Sequence, residues 1–172
     1  MDVNVLVVFY SRYGKAERLA LAAGLGAIQA KANIRLRRVP DLASEETIAA
    51  DASWSENLQR MKLDYVAPRE NDAPWADVIF LVTPADTSAE IDRYLAMLHP
   101  GGPYPAKIAA PFSPGNRPQT LAQLYAGSAI LGMTVVPMVA ITGYAVDIAR
   151  KHGTRVVEMA RSLKTNPPSE NI

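Results

Sequence analysis

The chain has 172 residues and no cysteine. That excludes disulfides, thiolate metal sites, CxxC redox pairs and a cysteine nucleophile. Any redox chemistry must therefore come from a bound cofactor. Histidine is nearly absent too. His99 and His152 are the two copies, too few and too far apart for a metal site, and each reads as a surface helix residue. Gly-x-Ser-x-Gly does not occur, which argues against a serine hydrolase. Charge of one sign is also lacking. The formal net charge is +1, so nothing draws the chain to nucleic acid or an anionic membrane. No apolar run reaches the roughly 18 to 20 residues of a membrane span. No basic stretch precedes an apolar segment at the start, as a secretory signal requires. The expectation is a soluble, cytoplasmic protein with no membrane span and no nucleic-acid partner.

What is present is strand and helix in strict alternation. The length suits one domain with a sizeable core. The reading is a single domain over residues 1–164, with 165–172 as a flexible C-terminal tail. Val3 to Phe9 is a nearly continuous apolar run, the pattern of a central parallel strand covered on both faces. Glu17 to Ala30 reads as a helix with Leu19, Leu21, Ala22, Leu25 and Ile28 inward. Gly24 and Gly26 weaken it by roughly 1 kcal/mol each against alanine, a cost explained by close packing of helix on sheet. Ile34 to Val39 alternates, as an edge strand does. Asp41 to Asn71 reads as a long excursion with one or two short helices. Ser44 is its candidate cap, and Trp54, Leu58, Met61 and Leu63 are its anchors. A third strand runs from Asp77 to Thr83. A helix capped by Thr87 or Ser88 follows, with Ile91, Leu95 and Leu98 inward. Lys107–Phe112 and Thr134–Ile141 are the remaining strands, and Gln119–Leu131 and Ala145–Leu163 the remaining helices. The sum is an α/β fold: a doubly wound, five-stranded parallel sheet in three layers with right-handed crossovers.

The loops after strands one, three and four lie on the carboxyl edge of such a sheet. Ligands bind there, at the switch point in strand order. In the order 2-1-3-4-5 that point brings Ser11–Ala16 beside Thr83–Ser88. The first loop is Ser11-Arg12-Tyr13-Gly14-Lys15-Ala16. It offers a hydroxyl, a glycine free to take positive φ, and two cations at a helix start, where backbone N–H groups and the dipole favour an anion. An ordinary strand-to-helix turn would carry the same glycine, and the residues alone leave both readings open. Asp86, Glu90 and Asp92 read as a solvated helix face.

Val5-Leu6-Val7-Val8-Phe9-Tyr10-Ser11-Arg12-Tyr13-Gly14-Lys15 resembles the opening of the WrbA family of flavodoxin-like NAD(P)H:quinone oxidoreductases. The resemblance extends to Arg37-Arg38-Val39-Pro40, Ala76-Asp77-Val78-Ile79-Phe80, Thr83-Pro84 and Leu131-Gly132-Met133-Thr134-Val135-Val136, and it covers most of the chain. It implies a flavodoxin-like fold holding FMN noncovalently. It also implies two-electron transfer from NAD(P)H to a quinone-like acceptor, and a homo-oligomer, dimer or tetramer. The cofactor-binding residues it implies are Ser11, Arg12, Tyr13, Gly14, Lys15 and Ala16 for the phosphate. Thr83, Pro84, Ala85, Asp86, Ser113, Pro114, Gly115 and Asn116 would flank the flavin ring.

This sequence also departs from the family pattern. Ala16 stands where the family carries a phosphate-binding threonine. Ala85-Asp86-Thr87-Ser88 replaces an Arg-aromatic-Gly-Asn run. The loop after strand four has no histidine, and the family's insertion after strand five is reduced to Thr142-Gly143-Tyr144. These changes define an alternative: a flavodoxin-fold binding or assembly protein that has lost FMN and catalysis.

Overall fold

The computed structural model describes residues 2–115, 117–138 and 145–165. The strands are β1 (Asn4–Phe9), β2 (Asn33–Arg38), β3 (Val78–Val82), β4 (Ile108–Phe112) and β5 (Thr134–Val135), and the sheet order is β2-β1-β3-β4-β5. Every pairing is parallel. This is the doubly wound sheet and the strand order expected. β3 and β4 are buried throughout, and β1 from Val5 onward. Apolar side chains on both faces of these strands explain why their runs do not alternate. β2, at the edge, is half-buried along most of its length.

The helices are α1 (Lys15–Gln29), α2 (Glu45–Ala49), α3 (Ala52–Asp64), α4 (Asp72–Trp75), α5 (Ala89–Leu98), α6 (Pro118–Ile130) and α7 (Ala145–Thr165). α1 and α7 cover one face of the sheet with Val5, Val7, Phe9, Phe80 and Phe112. α4, α5 and α6 cover the other with Leu6, Val8, Ile79, Leu81 and Ala109. Successive strand residues thus feed opposite half-cores, as the period of two requires. The excursion from Asp41 to Asn71 holds two helices, α2 and the longer α3, and α4 starts just after it. Ser44 caps α2 by accepting from the Thr47 N–H at 3.2 Å. Trp54, Leu58 and Met61 are buried as expected, but Leu63 is almost fully exposed.

α1 corrects the expected stripe. Leu19 and Ala22 are buried, together with Ala16, Ala20, Ala23, Gly24, Gly26 and Ala27. Leu21, Leu25 and Ile28 are 44%, 47% and 50% exposed. The reason is the distance to α7. A Cβ built on Gly26 would lie 1.9 Å from the Arg150 carbonyl oxygen, and one on Gly153 would lie 2.1 Å from that of Ala23. The two helices meet backbone to backbone, so only small residues fit between them and the leucines turn outward. Gly24 does face the sheet, near Val7 and Ile34. Gly26 answers to α7 instead.

Four further expectations change. His152 is not on the surface. It is buried, with its ring edge-on to Phe80 and Phe112 at 5.9 Å each. Glu90 is buried as well, with Thr87 its hydrogen-bond donor at 3.5 Å, so the acidic face of α5 is not wholly solvated. β5 is shorter than Thr134–Ile141. The ladder continues through Val136 N–H to the Ala109 carbonyl at 2.8 Å and no further among the described residues. Residues 139–141, Thr142-Gly143-Tyr144 and 166–172 lie outside them, while Thr165, expected in the tail, closes α7.

Candidate functional site

The first loop starts where β1 runs out. The Tyr10 N–H donates to the Val82 carbonyl at 2.9 Å, which holds the loop against the end of β3. Ser11 is buried, and its Oγ accepts from the Gly14 N–H at 3.0 Å. Gly14 has φ 85°, the left-handed region that suits glycine, and it ends the loop as the N-cap of α1. A Cβ there would face Glu17 and Asn57 at 3.6 and 3.8 Å. Its conformation is therefore the requirement, rather than open approach to a ligand. No side chain caps α1. The N–H groups of Lys15, Ala16 and Glu17 have no intrahelical partner, and this end of the helix is left for an anion.

Three loops meet in one cavity of about 380 Å³, lined by Ser11, Arg12, Tyr13, Lys15, Ala16, Pro84, Ala85, Asp86 and Pro114. That volume is in the range of small-molecule sites. Of the other residues singled out in the sequence, Gly14, Thr83, Ser113 and Gly115 are not among those lining it. Asn116 lies outside the described residues. Thr83 and Ser113 are fully buried. Thr83 braces the second loop, its Oγ1 donating to the Thr87 carbonyl at 2.6 Å and folding that loop back on itself. Thr120 Oγ1 from α6 donates to the Ala85 carbonyl at 2.9 Å and pins the same loop. Thr87, not Ser88, accepts from a backbone N–H at the start of α5, that of Ala89 at 3.3 Å.

Arg12 is the most constrained cation of the site. Its guanidinium lies over the Trp54 ring at 4.8 Å, its Nε donates to the Tyr10 hydroxyl at 3.2 Å, and its Nη1 is 3.7 Å from the Asp86 carboxylate. Burial opposes its charge, but the Tyr10 hydrogen bond and the charge of Asp86 outweigh that, and its pKa rises. The Tyr10 hydroxyl donates to Asp41 Oδ1 at 3.0 Å, an oxygen that also accepts from Trp54 Nε1 at 2.9 Å. Burial pushes the Tyr10 pKa far up, so it stays a neutral donor. The cavity thus holds two cations, Arg12 and Lys15, against one carboxylate, Asp86.

Sequence reasoning missed the supporting layer, which comes from α3. Asn57 Nδ2 donates to the Arg12 carbonyl at 2.7 Å. The Tyr13 hydroxyl donates to Asp51 at 2.6 Å, and Asp51 also caps α3 through the Trp54 N–H at 3.0 Å. Behind the loop, buried Glu17 accepts from Arg60 at 2.5 and 2.9 Å and from the Tyr65 hydroxyl at 2.6 Å. Burial would raise the Glu17 pKa, but the Arg60 and Tyr65 bonds override it and hold it low. The available signal was the Trp54, Leu58, Met61 spacing, which marks a docked helix. Where it docks was not legible.

Among the described residues no cluster of three or more His, Asp or Glu is placed to hold a metal ion. No described helix is long and apolar enough to cross a membrane.

The backbone overlays an archaeal flavodoxin with a TM-score of 0.64 at 13% identity, covering 92% of this chain and 99% of that one. It overlays a diflavin flavoprotein A3 from Nostoc sp. with a TM-score of 0.60 at 15% identity, over 96% and 97% of the two chains. At such identities the likeness is one of fold. In sequence, the chain is 29% identical to an NAD(P)H dehydrogenase (quinone) of Nitrobacter winogradskyi over 98% of its own length and 88% of that protein's. The chain thus has a flavodoxin-like fold and is similar in sequence to this dehydrogenase along nearly its whole length. An NAD(P)H dehydrogenase (quinone) of Brucella suis is 39% identical, over 44% of this chain. The matched stretch is 34% of the Brucella protein's length. No protein-family model matches the chain.

Proposed function

We propose that this WrbA-like protein binds FMN at the loop cavity and acts as an NAD(P)H:quinone oxidoreductase. The observation that carries the reading is the cavity itself. A left-handed glycine, an uncapped helix start and two cations meet the loop after β3 at the switch point of a flavodoxin sheet. The quinone dehydrogenase of Nitrobacter winogradskyi, which it resembles along nearly its whole length, supports the activity. The residues fit the group. The N–H groups of Lys15 to Glu17 and the Lys15 ammonium suit a phosphate, with the Ser11 hydroxyl beside them. Ser11 to Ala16 would hold it. Pro84, Ala85 and Pro114 supply apolar wall and would flank the ring.

When bound, FMN supplies the two-electron chemistry between NAD(P)H and a quinone-like acceptor. The chain's own residues bind and orient. Arg12 is fixed by Trp54 and Tyr10 rather than free to wander. The second loop is pinned by Thr83 and Thr120, so its wall keeps its place. The remainder of the reading is a single catalytic domain over residues 1–164, assembled as a homo-oligomer (dimer or tetramer) in the cytoplasm.

The test is a titration of purified protein with FMN, followed by flavin fluorescence and absorbance, then NADH or NADPH oxidation with a benzoquinone. Micromolar or tighter binding and quinone-dependent turnover are expected. Protein that leaves FMN fluorescence unchanged overturns the reading. It would favour the flavin-free binding or assembly protein, a reading that Ala16 and the Arg12–Asp86 contact support.

A further inference from the structure

We infer that Asp86 is a specificity-determining residue of the loop cavity, a built-in rival of the ligand's phosphate for Arg12. The inference rests on the reading of this cavity as a phosphate site. The two residues reach across the cavity from different loops, 3.7 Å apart. That is an ion pair too long for a hydrogen bond. Its two halves are held unequally. Arg12 has its guanidinium over the Trp54 ring, its Nε on the Tyr10 hydroxyl and its carbonyl on Asn57, and its side chain is 27% exposed. Asp86 is 64% exposed, and Arg12 is its one ion-pair partner among the described residues. An arriving anion therefore displaces the carboxylate and leaves the guanidinium in place.

The carboxylate cannot go far. The backbone beneath it is tied by the Thr83 bond to the Thr87 carbonyl and the Thr120 bond to the Ala85 carbonyl. After displacement it remains at the mouth of the cavity and repels the phosphate that replaced it. Like charges a few ångströms apart near a surface shift an affinity by about tenfold. The rivalry acts on charge alone, so it weakens as salt screens the mouth. A ligand without a phosphate escapes it.

The experiment titrates FMN, riboflavin and inorganic phosphate into the full-length wild type, Asp86→Asn, Arg12→Gln and the double variant, at low and high salt. Glu158→Gln, on the exposed side of α7, controls for net charge. Asp86→Asn should bind FMN and phosphate about tenfold more tightly at low salt and less so at high salt, with riboflavin unchanged. In the Arg12→Gln background the same substitution should gain clearly less, because rivalry needs the shared cation. Equal affinities of Asp86→Asn and wild type for both phosphate-bearing probes overturn the inference. So does an equal gain for riboflavin, an equal gain in Glu158→Gln, or no detectable phosphate binding by Asp86→Asn. If phosphate tightens while no variant binds FMN, the rivalry stands and the FMN reading falls.

Discussion

The two ends of α1 are held in opposite ways. Its middle and C-terminal half is pressed onto α7 with no side chain between the backbones at Gly26 and Gly153. Its N-terminal turn is tied to α3 and the chain just after it through side chains: Glu17 to Arg60 and Tyr65, and the loop ahead of it to Asn57 and Asp51. Close packing has one solution and no tolerance for volume. A polar network at the rim can be weakened by degrees, by salt or by pH. The frame is thus fixed by shape, and the loop that faces a ligand is fixed by charge. Stiff scaffold and adjustable loop is the usual division of labour in α/β folds.

The sharpest break of that contrast is Gly26→Val. The added carbons meet the Arg150 carbonyl, and overpacking against backbone should cost about 3 kcal/mol or more. Denaturant unfolding measures it, and a loss under about 1 kcal/mol would deny the backbone contact. Next comes His152, buried beside Phe80 and Phe112, where burial and then the charge of Arg155 push its pKa down to about 4 from 6.5. Neutral histidine is favoured in the folded state. Its contribution is whole above pH 6.5 and is lost as pH falls through about 4, about 3 kcal/mol in all. His152→Leu should flatten that part of the stability-versus-pH curve, and an unchanged curve would place the acid sensitivity elsewhere.

At the other end of the helix the effects are smaller. Arg60→Gln leaves the Glu17 carboxylate buried with Tyr65 alone. Because Arg60 is half exposed, the loss should be about 1 to 2 kcal/mol and shrink in high salt. Since the Glu17 pKa is held low in the fold, its stabilisation is present at neutral pH and lost as pH falls below the ordinary glutamate range. A salt-independent loss would mean packing, not charge, holds this end. Ala16→Thr should restore a hydroxyl donor at the cavity wall and tighten FMN by about 1 kcal/mol. Unchanged FMN affinity there would move the phosphate away from the α1 start. Leu25→Lys should shift unfolding by less than about 0.5 kcal/mol, because that leucine is outside. A large loss would restore the expected inward stripe.

Much of the frame was legible in the residues. Continuous apolar runs at Val5–Phe9 and Val78–Val82 mark central strands, because a strand covered on both faces needs no polar side. Alternation in β2 marks the edge for the converse reason. Of the residues singled out, Ser11 to Tyr13, Lys15, Ala16, Pro84 to Asp86 and Pro114 come together because the carboxyl ends of parallel strands are neighbours. The α3 layer was not legible, since its contacts join residues 38 to 48 positions apart. His152 looked exposed because one histidine on an amphipathic helix says nothing of the phase in which that helix sits.

The sequence by itself determined the order of elements, the parallel sheet and the loop that begins at Ser11, because hydrophobic period and chain connectivity are local properties. Only the tertiary structure decided which face of α1 is inside, what Gly26 is for and that Arg12 meets Asp86. Periodicity shows that a helix has two faces. The distance to the neighbouring backbone selects which side chains fit there, and on α1 that distance favoured glycine and alanine over leucine.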